Sequence, residues 1–179
     1  MQQHLIISLL SDNNAFLIQK LSECCSESQC DILDAHFTRM GNHLSGSLLA
    51  SGSWMAVEKL ERLLQSFRKT HDAKLQLLDT KRSAEPEALS PTLPYQFQVL
   101  GVHRPQILTV LIDFFLTEEL QLSTLAATHY TAPHTQTVMS CLQGVVLVPV
   151  DFHLARLRES FIIFCDSYNL EVMFEPMRN

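Results

Sequence analysis

Apolar and polar positions alternate at Leu5, Ile7 and Leu9, and again at Tyr95, Phe97 and Val99. Alternation with a period of two marks a strand with one buried face. After each strand the spacing changes. Leu17, Ile18, Leu21, Cys24 and Cys25 recur at i, i+1, i+4, i+7 and i+8, and so do Ile107, Leu108, Leu111, Phe114 and Phe115. That spacing gives one apolar face of a helix. The two sets coincide when the chain is shifted by 90 residues. A shift of 97 lays Val57, Leu60, Leu64 and Phe67 over Leu154, Leu157, Phe161 and Phe164, a second helix in each half. The same shift lays Leu75 and Leu77 over Val172 and Phe174, a closing strand. The two shifts differ by seven, which predicts an insertion between the middle strands of the second copy. Thr131-Ala-Pro-His-Thr-Gln-Thr137 is the candidate, since Pro and small polar residues punctuate loops.

Each half therefore reads strand, helix, strand, strand, helix, strand. In the first half the middle strands, Cys30 to Met40 and His43 to Ser51, form a hairpin around Gly41-Asn42. Ser53 is the expected cap of the following helix, and Asp151 is its counterpart in the second half. This order predicts an α+β chain of two tandem ferredoxin-like βαββαβ domains, with antiparallel sheets and helices on one face of each. The expected domains are residues 1–79 and 95–179, joined by a linker over 80–94 that carries Pro86, Pro91 and Pro94. Sheets with a bare face and free edges tend to pair, within the chain or as a homodimer.

Composition narrows the function. Of 179 residues, 46% are hydrophobic and 18% charged, which argues against disorder. A net charge of −6 is a poor field for phosphate backbones, so direct DNA or RNA binding is not expected. The apolar runs fall short of a membrane span and no leader is recognised. Five cysteines without a leader fit reduced thiols in a cytoplasm.

The candidate chemistry lies between the first strand and first helix of each half. Gly101-Val-His-Arg-Pro-Gln-Ile-Leu108 places His103, Arg104, Pro105 and Gln106 there. Pro105 suits a first helical turn, where its missing N–H costs nothing. A helix start supplies free N–H groups, and the Arg104 fork matches a carboxylate. The plainer reading is a solvated Arg beside a helix-starting Pro. Asn13 and Asn14 hold the corresponding place in the first half, as amide donors to a ligand or as turn residues. Trp54 is expected to pack one end of the second helix on the sheet, the alternative being a partner anchor. His129 and His134, near Cys141, match no zinc spacing and are read as exposed loop histidines. No metal or cofactor is expected. A nucleophile elbow, a phosphate loop and an HExxH helix are all missing from the sequence, which speaks against an enzyme but leaves a ferredoxin-like enzyme with a subtler site open. The RNA-recognition fold shares the βαββαβ order but needs aromatic and basic residues on its central strands. His43-Leu-Ser-Gly-Ser-Leu-Leu-Ala-Ser51 has no Phe, Tyr, Arg or Lys.

His4-Leu-Ile-Ile-Ser8, Cys30-Asp31-Ile32 and above all Leu48-Leu-Ala-Ser-Gly-Ser-Trp54, set in a βαββαβ tandem, resemble ACT domains, the regulatory modules that sense amino acids. More narrowly the chain resembles the glycine cleavage system transcriptional repressor family, which has two ACT domains. The resemblance implies a non-enzymatic cytoplasmic regulator that restrains a DNA-binding transcriptional activator by protein contact, with glycine weakening that restraint. It also places an amino-acid site at the loop after the first strand, where ACT domains typically read Asp-Arg-Pro-Gly. Here the loops read Asn13-Asn14-Ala15-Phe16 and His103-Arg104-Pro105-Gln106, and only the second keeps Arg-Pro. An interaction module that has lost sensing is the alternative.

Overall fold

The alternating segments form strands and the i, i+4 segments form helices in the order the repeat requires. In the computed structural model, which describes residues 2–12, 15–71, 73–80 and 91–177, the first unit comprises β1 (Gln2–Asp12), α1 (Phe16–Ser28), β2 (Asp31–Met40), β3 (His43–Ser53), α2 (Trp54–His71) and β4 (Lys74–Thr80). The second comprises β5 (Thr92–Val102), α3 (Ile107–Thr117), β6 (Gln121–Thr131), β7 (Val138–Pro149), α4 (Leu154–Ser167) and β8 (Glu171–Pro176). The sheets are antiparallel with orders β2-β3-β1-β4 and β6-β7-β5-β8. The chain divides into two units, Met1–Glu87 and Ala88–Asn179. Strand pairing in the first runs to Thr80, and in the second it begins at Thr92, so Pro94 lies in β5 opposite Leu147. Residues 81–90 of the expected linker, including Pro86, lie outside the described residues.

The apolar periodicity becomes burial. Leu17, Leu21 and Cys25 of α1 are buried, with Ile18 and Cys24 half-buried beside them; Ile107, Leu111 and Phe115 of α3 are buried, with Leu108 and Phe114 beside them. Each helix pair packs on alternate strand residues, Leu5, Ile7 and Leu9 in one core and Tyr95, Phe97 and Val99 in the other.

The two cores place their large residues and glycines at different register positions. In the first, Ile7 pairs in register with Leu48, and Phe37 with Gly46. In the second, Phe97 pairs with Gly144, and Ala127 with Leu142. A large side chain faces a glycine in each unit, but on a different pair of strands. Close packing requires such exchange, because a core gains nothing from added volume it cannot seat. A Cβ on Gly144 would meet the Phe97 ring at 2.8 Å. Phe97 itself packs on Phe115 and Phe161, with ring centroids 4.9 and 6.3 Å away.

The hairpin insertion falls where the shift placed it, between Thr131 and Val138, with a turn over 133–135. Ser53 caps α2, its Oγ accepting from the Ala56 amide at 3.2 Å. Asp151 does not cap α4. The chain first makes a turn in which the Phe152 amide donates to the Pro149 carbonyl at 3.0 Å, and α4 then starts at Leu154 after an N-cap His153 with no side-chain cap bond. Trp54, expected against the sheet, is instead exposed at the start of α2 beside exposed Met55.

Candidate functional site

The loop after β5 is fixed at both ends. At its start the His103 amide donates to the Val138 carbonyl at 2.8 Å, extending the β5–β7 pairing by one bond. The His103 ring then turns to Ser140, which is buried on β7. Ser140 Oγ lies 2.9 Å from His103 Nδ1 and 3.1 Å from His129 Nδ1, and the two rings meet edge to face at 4.4 Å. The hydroxyl has one proton, so with both rings neutral it donates to one Nδ1 and accepts from the other. His129 is therefore a β6 residue opposite Ser140, not a loop histidine; His134 does lie in the 133–135 turn.

At its end the loop closes as a turn. The Ile107 amide donates to the Arg104 carbonyl at 3.1 Å, with Pro105 second and Gln106 third in the turn at φ −96°, ψ 1°. These are type I angles, and Pro at the second position presets them. Pro105 thus sits just outside the helix rather than in its first turn. The Val110 amide donates to the Gln106 carbonyl at 3.1 Å, while the Leu108 and Thr109 amides have no acceptor among the described residues. Two free donors at the positive end of a helix favour an anion.

Arg104, Pro105, Gln106, Ile107 and Val110 line a cleft of ≈ 450 Å³ together with Tyr168 from the end of α4. Tyr168 is half-buried and its ring packs on Phe164 at 5.2 Å. Arg104 is exposed and has no ion-pair partner among the described residues. An exposed guanidinium beside the positive end of a helix is chemistry suited to a carboxylate.

Of the expected site residues, Arg104, Pro105 and Gln106 line the cleft together. His103 is not among its lining residues and bonds to Ser140, and Asn13 and Asn14 lie outside the described residues. Asp12, at the end of β1, approaches His43 at 3.5 Å. Tyr168 and Val110 were not singled out from sequence, although the repeat carries the signal for Tyr168. Gln106 corresponds to Phe16 at a shift of 90, and Tyr168 to His71 at a shift of 97. In the first unit those two rings touch, at 6.3 Å, and Lys20 Nζ stands 5.2 Å over the Phe16 ring.

A second cleft of ≈ 360 Å³ lies along Gln65, Arg68, Lys69 and Ala73. Its cations sit in the last turn of α2, where they complement the helix dipole, and nothing further distinguishes it. Among the described residues no group of three or more His, Cys, Asp or Glu is placed to hold a metal ion, and no helix is long and apolar enough to cross a membrane.

These features define a tandem of ferredoxin-like βαββαβ units with a ligand-sized cleft on the second. Residues 3–77, within the first unit, match the family model described as ACT domain. Over its whole length the chain is similar in fold to a crystal structure described as a "putative glycine cleavage system transcriptional repressor", at 16% identity and TM-score 0.73, covering 100% of this chain and 99% of that one. It is equally similar to the crystal structure of an unknown protein from Galdieria sulphuraria, at 12% identity and TM-score 0.75, covering 99% of this chain and 100% of that one. No curated protein matches the sequence significantly.

Proposed function

We propose that this chain is a non-enzymatic regulator that acts by contact with a transcriptional activator and responds to an amino acid bound at the β5–α3 loop. The observation that supports the sensing is the cleft that exposed Arg104 shares with Gln106 and Ile107 at the start of α3 and with Tyr168. The match to the ACT-domain family over residues 3–77 supports a regulatory role, and the repressor-like fold supports action on transcription through another protein. The second unit carries the ligand. In the first, Phe16 and His71 stand where Gln106 and Tyr168 border the cleft, and no Arg occupies the loop.

Exposed Trp54 and Met55 supply an apolar anchor of the kind that dominates protein contacts. The exposed edge strands β2 and β6 leave room for a homodimer as well. Calorimetric titration of amino acids into the wild type, Arg104→Ala and Asn14→Ala tests the sensing. Binding lost in Arg104→Ala and kept in Asn14→Ala supports it. No heat and no rise in Tm with any amino acid at millimolar concentration removes sensing and leaves an interaction module.

A further inference from the structure

β2 ends the first sheet, with β3 on one side and an open edge on the other. Its residues are exposed along the whole strand except Phe37, which is half-buried. Such an edge offers N–H and C=O groups to another strand. Which groups it offers follows from the turn. Gly41-Asn42 is a two-residue loop between the paired Met40 and His43, with Gly41 at φ +61°. A two-residue hairpin closes on a hydrogen-bonded pair, and bonded pairs alternate along an antiparallel ladder. Met40, Thr38, His36 and Asp34 therefore spend their backbone groups on β3, while Arg39, Phe37 and Ala35 turn theirs to the open edge.

The side chains carry a second pattern. Counted outward from Ala35, Asp34 answers His36, Leu33 answers Phe37 and Asp31 answers Arg39. Against a second copy running the other way, this order is self-complementary. Asp34 and His36 share the face of the sheet away from the helices, and His36 Nε2 lies 3.3 Å from Asp34 Oδ1. The other oxygen of Asp34 is left for the partner's His36, so acid and base alternate around four corners. Leu33, 55% exposed, stands opposite the partner's Phe37. The bulge between Ile32 and Asp34 ends the regular ladder there, and beyond it Asp31 comes level with the partner's Arg39. A slip of two residues either way would set Asp34 on the partner's Asp34, or His36 on the partner's His36. Opposite charges across a ladder stabilise and like charges destabilise, which selects the register. β6, the corresponding edge of the second sheet, has no Asp, Glu, Lys or Arg and carries no such selection.

We propose that two copies of this chain join through β2, paired antiparallel about a two-fold axis at Ala35, so that two four-stranded sheets become one. This pairing deepens the homodimer reading given above and is independent of amino-acid binding. A short backbone ladder with one apolar contact on each side of the axis is a small interface, so dimerisation at micromolar concentration is expected.

Sedimentation velocity of the full chain over a range of concentrations tests the pairing, with circular dichroism and Tm to show that each variant is folded. The expected result for the wild type is a concentration-dependent monomer–dimer equilibrium. Ala35→Pro removes an N–H that β3 does not use and should leave a folded monomer. Asp34→Lys and His36→Asp should each weaken the dimer at least about tenfold, because each substitution counts twice across the axis. An equimolar mixture of these two variants should recover the wild-type affinity within about threefold, since acid again faces base across the axis while the pair within each strand stays broken. A wild type that remains monomeric at hundreds of micromolar would overturn the dimer and leave the sensing untouched. A dimer unmoved by Ala35→Pro and by both charge variants would overturn β2 as its surface. Weakening in both charge variants without recovery in the mixture would overturn the register.

Discussion

The rings of Phe16 and His71 meet nearly edge to face, 6.3 Å between centroids, at positions that the internal repeat equates with Gln106 and Tyr168. One unit brings two rings together where the other leaves a cleft. Gln106→Phe should therefore fill the second cleft by setting a ring against Tyr168. Amino-acid binding should drop at least tenfold while Tm stays within a few degrees of the wild type, as expected for an exposed substitution. Paired calorimetric and thermal measurements check both halves of this expectation.

Ser140 joins two strands and the start of the loop through one hydroxyl. Ser140→Ala removes both bonds and leaves two imidazole nitrogens competing for water near a buried position. The expected cost is about 1–3 kcal/mol, read as a lower urea midpoint with an unchanged slope. Faster hydrogen exchange at the His103 amide would show that the loop itself has loosened.

Much of this fold was legible in the sequence, because burial follows periodicity directly. The i, i+1, i+4, i+7, i+8 set of α3 became three buried and two half-buried residues, and the hairpin insertion fell between Thr131 and Val138. That Arg104, Pro105 and Gln106 stand together was legible too, as they adjoin one another in the chain. What escaped depends on contacts across the sheet or between helices. His129 meets His103 only through the register of β6 on β7 and of β7 on β5. The cap expected at Asp151 failed because an extra turn precedes α4, and Trp54 is exposed although its residue type favours burial.

The exchanged glycines make a third test. A Cβ on Gly144 would press on the Thr124 carbonyl oxygen and the Phe97 ring, and one on Gly46 on the His36 carbonyl oxygen and the Phe37 ring. Backbone atoms cannot yield cheaply, so Gly144→Ala and Gly46→Ala should each destabilise by about 1–3 kcal/mol. Phe97→Leu in the Gly144→Ala background should recover part of the loss by relieving the ring contact, though not the contact with the carbonyl. A double-mutant cycle in urea measures the recovery.

The buried thiols predict how stability depends on pH. Burial raises the Cys25 thiol from 9.0 to about 12, with further raising by Cys30 and Cys24; burial likewise raises Cys165 from 9.0 to about 12, with Asp166 adding to it. Above pH 9 the unfolded chain releases these protons while the folded chain keeps them. Their contribution to stability is therefore complete below pH 9 and is lost between about pH 9 and pH 12. The slope is about 1.4 kcal/mol per pH unit for each thiol. Urea midpoints between pH 8 and pH 10.5 should fall less steeply in Cys165→Ala than in the wild type.

With a net charge of −6, the chain should not be retained on nonspecific duplex DNA at physiological ionic strength. Retention that falls steeply with added salt would reveal counterion release, and with it a direct DNA-binding surface.

The most direct test of the account is where a bound amino acid is felt. An amino acid that binds in calorimetry, titrated into isotopically labelled protein, should shift the backbone amide resonances of Ile107, Leu108, Thr109 and Val110 along with Tyr168. The corresponding amides of α1, from Leu17 to Lys20, should stay unmoved, and Arg104→Ala should abolish the shifts. Shifts confined to the first unit, or spectra unchanged at millimolar ligand, would contradict the assignment of sensing to the β5–α3 cleft.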